Sequence, residues 1–209
     1  VLPEADKVLG RTPQYQLADL KPVARVTADP TVLAVRAESP WKTYAEFIAA
    51  ARAAPGKITF GSSGNYGTMH VPMEMLKGSA GFRMTHIPYT GAGPALLALL
   101  GGQVDMTCDQ TTNTTQQIES GKVKAFAVTT LKPLTTPTLA KLPTLDASGL
   151  KGFNVSIWHG LYAPKGTPKA VQDKVNAALV AALKDPEFIK RQEALGAVVV
   201  TDNRLQPAE

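Results

Sequence analysis

Cysteine is nearly absent from this 209-residue chain, where Cys108 stands alone. A single thiol excludes an intrachain disulfide framework and a cysteine-based zinc cluster. Flanked by Met106 and Thr107 in an apolar stretch, it reads as a small core residue rather than a nucleophile. Aromatic residues are also scarce, at 6%, while glycine and proline number 17 and 16, so many short elements joined by specified turns are expected rather than long helices. No run approaches the roughly 18 apolar residues of a membrane-spanning helix, and the opening Val1-Leu2-Pro3-Glu4 lacks the basic and apolar regions of a signal peptide. Direct membrane insertion is not expected. Clusters of like charge are missing too. The formal charge of +5 comes from 22 basic and 17 acidic residues scattered along the chain. A nucleic-acid partner would call for basic residues gathered on one surface with aromatics, so none is expected, and scattered positive charge suits mild steering of anionic solutes.

What is present is enough apolar material, 44% of residues, to bury a core. The segment through Pro22 has no sustained period and reads as an irregular lead-in. Val23-Ala24-Arg25-Val26 and Val32-Leu33-Ala34-Val35 read as two strands around a turn at Asp29-Pro30. Ser39 is placed to cap a helix carrying Tyr44, Phe47, Ile48 and Ala51, which Pro55-Gly56 stops. A strand at 58–60 leads to a helix from about Thr68 bearing Val71, Met75 and Leu76. An extended piece at 83–87 then leads to a helix over 94–100 with Pro94 in first position and Gly101-Gly102 at its end. Further strands are expected at 104–108, 125–128 and 198–200, with extended chain at 155–163. A polar helix is expected at 116–119, and two more follow, one through Val171, Val175, Ala178, Leu179 and Leu183 and one opened by Pro186. Strands alternating with helices predict an α/β fold.

Two turns carry the chemistry. Gly61-Ser62-Ser63-Gly64-Asn65-Tyr66-Gly67-Thr68 joins a strand to a helix, where backbone N–H groups and hydroxyls converge beside the positive end of the helix dipole. It reads either as an anion cradle, with Ser63 and Thr68 as hydroxyl donors, or as a tight turn with Thr68 as N-cap. Pro88-Tyr89-Thr90-Gly91-Ala92-Gly93-Pro94 has the same logic. Gly91 and Gly93 match half of a dinucleotide fingerprint, but Leu96 replaces its third glycine and Pro94 interrupts it, so no nucleotide cofactor is expected. A serine-dependent hydrolase would need Gly-x-Ser-x-Gly, and Asn65 stands where the last glycine belongs. His70, His86 and His159 fit no metal-ligand spacing, and no metal is expected. His70 reads as a ligand contact or as a helix residue bonding back to the loop. Asp109 follows a buried-looking strand at the end where α/β sheets present ligands, and reads as a functional carboxylate or as a cap on the next helix.

Lys57-Ile58-Thr59-Phe60-Gly61-Ser62-Ser63-Gly64 with His70, then His86-Ile87-Pro88-Tyr89-Thr90-Gly91-Ala92-Gly93-Pro94-Ala95 and Leu99-Leu100-Gly101-Gly102-Gln103-Val104-Asp105, resemble the Bug or TctC family of periplasmic solute receptors. Residues 118–129, Leu142-Pro143-Thr144-Leu145, Trp158-His159-Gly160-Leu161-Tyr162-Ala163-Pro164 and Gly166-Thr167-Pro168 extend the resemblance in the same order. It implies a non-enzymatic, periplasmic-binding-protein-like (type II-like) two-lobe receptor. Such a receptor captures a small mono- or dicarboxylic acid for the membrane components of a tripartite tricarboxylate transporter; a ligand-binding subunit of a membrane sensor is the alternative. The resemblance further implies ligand contacts at Ser63, Gly64, Thr68, His70, Tyr89, Gly91, Ala92 and Asp109. The family's opening strand and Gly-Gly loop have no counterpart before Val1. Residues 1–27 are therefore expected to be a remnant of the first lobe, 28–145 the complete second lobe, and 146–209 the C-terminal part of the first. Apolar surface uncovered in this way could pair with another copy of the chain.

Overall fold

The structure is a computed structural model that describes residues 3–202 and 205, so Val1 and Leu2 of the opening motif lie outside the described residues. The elements in order are α1 (Pro3–Val8), a 3₁₀ turn (Leu17–Asp19), β1 (Leu20–Arg36), α2 (Tyr44–Ala53), β2 (Thr59–Ser62), α3 (Val71–Ala80), β3 (Thr85–Pro88), α4 (Ala92–Leu100), β4 (Met106–Gln110), α5 (Thr111–Glu119), β5 (Val123–Val128), β6 (Ser156–Pro164), α6 (Lys169–Leu183), α7 (Pro186–Ala194) and β7 (Val198–Val199). The lead-in is thus not irregular but carries a short helix and a 3₁₀ turn.

The chain divides into two compact units, Val1–Ala28 with Trp158–Glu209 and Asp29–Ile157. The second unit runs past the boundary expected at Leu145, because Phe153 is buried in its core with Leu150 and Val155 packed alongside.

In the 29–157 unit the strand order is β3-β2-β4-β1-β5. Strand β2 runs parallel to β3 and β4, whereas β1 is antiparallel to β4 and β5. Successive strand residues point to opposite faces, and both faces are covered. Leu33, Val35, Phe60, Met106, Cys108 and Phe126 meet Phe47, Ile48 and Ala51 of α2 and Met73, Leu76 and Ala80 of α3. Val32, Ala34, Val104, Val123 and Val128 meet Ala98 and Leu99 of α4 and Leu139. Cys108 is a core residue: burial pushes its thiol up to about 12, and its Sγ lies 3.5 Å from Thr31 Oγ1.

Several expectations fail at the level of boundaries and phase. Asp29-Pro30 is no turn, because β1 runs straight through it. Thr27 and Ala28 pair with β7, and Thr31 to Val35 pair with β4. The proline therefore falls where the ladder changes partner and its missing N–H costs nothing. Thr43, not Ser39, caps α2, accepting from Glu46 N at 3.2 Å. Pro94 is the third residue of α4 rather than the first, still within the turn whose N–H groups lack partners. On α3 the buried stripe is Pro72, Met73, Leu76 and Ala80, while Val71 and Met75 are exposed.

In the other unit, β6 and β7 both pair with β1. Leu183, Val199, Val200 and Leu205 form its core with Val26, Leu179, Val180, Phe188 and Ile189 against it. Asn176 Nδ2 donates to Val23 O and Leu205 O, each at 2.8 Å. The predicted apolar stripe of α6 buries only Leu183 fully; Val171 and Val175 face solvent.

Candidate functional site

In the 29–157 unit the three mutually parallel strands β2, β4 and β3 point their carboxyl ends the same way, so the loop after Ser62, the turn after Pro88 and Asp109 share one edge of the sheet. Open α/β sheets present ligands at this edge.

The 61–70 loop is held from below. Ser62 is fully buried; its Oγ accepts from Gly64 N at 3.2 Å, donates to Gly64 O at 3.0 Å, and sits 2.6 Å from His86 Nε2. With that hydroxyl proton on Gly64 O, the His86 Nε2–H is the donor to Ser62. The His86 ring stacks on Phe60 at 4.8 Å and on His70 at 3.9 Å, nearly parallel to the latter. Burial first, and then the facing His70, hold the His86 pKa below the ordinary histidine value. His70 in turn accepts the Tyr66 N–H on Nδ1 at 2.8 Å and faces Glu74 Oε1 through Nε2 at 3.3 Å. That bond fixes Tyr66 at a φ of 60°, a left-handed conformation unfavourable for a bulky side chain. Both nitrogens of His70 are thereby engaged with the protein, the geometry of a side chain that orients its loop.

Tied down in this way, the loop keeps its outer donors free. Among the described residues, the N–H groups of Ser63, Asn65 and Thr68 and the hydroxyls of Ser63 and Thr68 have no protein partner. Thr68 does not cap α3, which begins at Val71 with His70 in the cap position. In the facing turn Tyr89 N donates to Ser62 O at 2.9 Å, which ties turn to loop. The N–H groups of Thr90, Gly91, Ala92 and Gly93 are likewise without protein partners among the described residues. Gly61 explains how Tyr89 fits. A Cβ there would lie 3.1 Å from Val104 Cγ2 and 3.4 Å from Tyr89 Cε2, so the tyrosine ring lies on the bare strand.

Asp109 is buried. Its Oδ1 accepts from Gln110 N at 2.7 Å and from Asn113 Nδ2 at 3.0 Å, while Oδ2 is enclosed with no partner. Burial pushes this carboxyl up to about 6, against the pull of those two bonds. The N-cap of α5 is Gln110, not Asp109. The chain turn expected at Asp29 is instead a second buried carboxylate at the same edge, with Gln110 Nε2 and Thr112 Oγ1 each 3.4 Å from its Oδ2.

Sequence reasoning missed Ser62, His86, Glu74 and Asp29. The histidine pair lies sixteen positions apart along the chain (86 − 70 = 16), on a strand and a helix start, and only the packing of α3 over β2 and β3 stacks it. Ser62 and His86 form a serine–histidine contact, but the fully buried Ser62 hydroxyl is committed to the loop backbone at Gly64 rather than presented as a nucleophile. Among the described residues no group of three or more His, Cys, Asp or Glu is gathered as a metal site would require.

Two rows of donors without protein partners among the described residues thus line the carboxyl edge of a doubly covered sheet, an arrangement that can accept an anion. The sequence profile described as tripartite tricarboxylate transporter family receptor matches residues 8–208, and the chain belongs to that family, whose members are substrate-binding receptors and not enzymes. A UPF0065 protein of Agrobacterium vitis, in the TAR-I ttuE-ttuC' intergenic region, is 39% identical over 92% of this chain and 55% of its own length. Protein BugT of Bordetella pertussis is 29% identical over 90% and 57%. Among solved structures, the periplasmic binding protein BugD superposes with a TM-score of 0.87 at 46% identity, over 92% of this chain and 64% of its own. MatC of Rhodopseudomonas palustris with bound malate gives 0.85 at 33%, over 93% and 66%. R. palustris Rpa4515 with adipate gives 0.86 at 30%, over 93% and 64%. The chain spans about half the length of these curated relatives and about two thirds of the solved ones.

Proposed function

We propose that this chain is the ligand-capturing part of a periplasmic solute receptor that binds a small mono- or dicarboxylate and hands it to the membrane components of a tripartite tricarboxylate transporter. The observation that carries the reading is the double row of unpartnered donors, from Ser63, Asn65 and Thr68 on one side and from Thr90 to Gly93 on the other. Charge-assisted bonds from fixed backbone N–H groups suit an ionised carboxylate, because the donors are already oriented when the ligand arrives. Relatives solved with adipate and with malate support the choice of anion. On this reading Ser63, Gly64, Thr68, Tyr89, Gly91 and Ala92 touch the ligand, His70 orients the loop, and Asp109 lines the floor beneath it. The 29–157 unit is then the second lobe, and the other unit part of the first.

Calorimetric titration with a panel of mono- and dicarboxylates tests this. Saturable heat is expected, weakened by about 1–3 kcal/mol in Thr68→Ala and in Tyr89→Phe if each hydroxyl is a direct donor. Absence of heat and of any thermal shift with every acid would remove the reading.

A further inference from the structure

The unit containing β6 holds a cluster that the carboxyl-edge site does not use. Trp158, Gly160 and Tyr162 alternate along β6 and so share one face. The two rings stand 6.4 Å apart at 53° over the glycine. A Cβ on Gly160 would lie 3.1 Å from the Tyr162 ring, 3.4 Å from Trp158 and 3.4 Å from Ala24 O, so only glycine lets both rings converge there. Arg25, on the neighbouring β1, brings its guanidinium carbon to 5.9 Å from the Trp158 ring centroid. Its Nε is shut away from solvent without a hydrogen-bond partner, whereas its two Nη groups are not so enclosed. Among the described residues no carboxylate pairs with it and no group accepts a hydrogen bond from it. Trp158 and Tyr162 remain 47% and 42% exposed, which leaves the cluster open to a small molecule.

From this arrangement we infer that Arg25, Trp158 and Tyr162 form a carboxylate-binding site on this unit, the guanidinium taking the carboxylate through its Nη donors and the rings receiving the carbon skeleton. A partly desolvated cation with no counter-ion attracts an anion more strongly than a solvated one. Stacking on an aromatic face leaves the edge of the guanidinium free for a planar, two-oxygen acceptor. Burial raises the Tyr162 pKa, against the lowering influence of Arg25, so its phenol stays protonated and can donate as well. The choice of a carboxylate over other anions rests on the function proposed above.

Trp158 is one of two tryptophans, so a Trp41→Phe variant isolates its emission. Titration of that variant with malate and with adipate is expected to give a saturable change in Trp158 fluorescence. Arg25→Gln should weaken that response about tenfold or more, and Arg25→Lys, which keeps charge but loses the planar pair, by an intermediate factor. Circular dichroism checks that each variant is folded, and Tyr162→Leu supplies an independent lesion should Arg25→Gln fail to fold. Equal response to sulfate would overturn the carboxylate assignment. Unchanged affinity in Arg25→Gln or Tyr162→Leu would overturn the site. Calorimetry separates the two failures: heat lost in Thr68→Ala but kept in Arg25→Gln leaves the proposed function standing without this site, while no heat from any acid removes both.

Discussion

Asp109 shows how one side chain can make stability run against the usual direction with pH. Its carboxyl titrates near 6 in the fold against 3.8 for a free one. Between those values the folded protein binds more protons than the unfolded chain, so stability falls as pH rises through this window and levels off above it. The gap amounts to about 3 kcal/mol at most, taking 1.36 kcal/mol per unit. Asp109→Asn keeps an oxygen for Gln110 N and Asn113 and removes the ionisation, so it should raise stability at pH 7 and flatten the dependence between pH 4 and 6. Urea titrations at several pH values check this, and a variant no more stable than the parent at pH 7 would show that Oδ2 has a solvent partner. The presence of a carboxylate at this strand end was legible from the chain, since Asp109 follows an apolar run. Its burial was not, because that depends on Val32 and α5 packing around it.

At the scale of the element, the 61–70 loop is a piece of backbone whose shape is set partly by its own bonds and partly from outside itself. Its glycines and its place between strand and helix could be read in sequence. The Ser62–His86 bond ties it to β3, and the Tyr66–His70 bond within it uses a His70 ring that stacks on His86 of that strand. Its floor at Gly61 depends on contacts that sequence spacing does not encode. Gly61→Ala should therefore displace the Tyr89 ring or strain Val104, at a cost of about 1–3 kcal/mol by analogy with other overpacked sites. Chemical denaturation measures this, and a loss of only a few tenths would mean that β2 yields. The same limit explains the misread phase of α3. Val71, Met73, Met75 and Leu76 offer two apolar stripes, and the sheet beneath selects the one led by Met73. The cap of α2 failed similarly: Ser39 and Thr43 are both good caps, and only the latter lies where the helix begins.

Across the whole molecule, a scattered charge of +5 makes a mild attractive field for anions. The association rate of a dicarboxylate should fall with added salt, and more steeply than that of a monocarboxylate, since the Debye length shortens to about 10 Å at 0.1 M. Stopped-flow fluorescence measures both, and rates indifferent to salt would show that the net charge plays no part in capture. By itself the sequence determined the α/β class, the family, the two glycine-rich turns and a buried lone thiol, because these depend on local periodicity, on turn chemistry and on ordered motifs. The tertiary structure alone decided that β1 passes unbroken through Pro30, that His70 stacks on His86 beneath the loop, and that Arg25 lies over the Trp158 ring. Each of these joins residues far apart in the chain, and no pattern along a chain specifies which distant side chains the packed core will bring together.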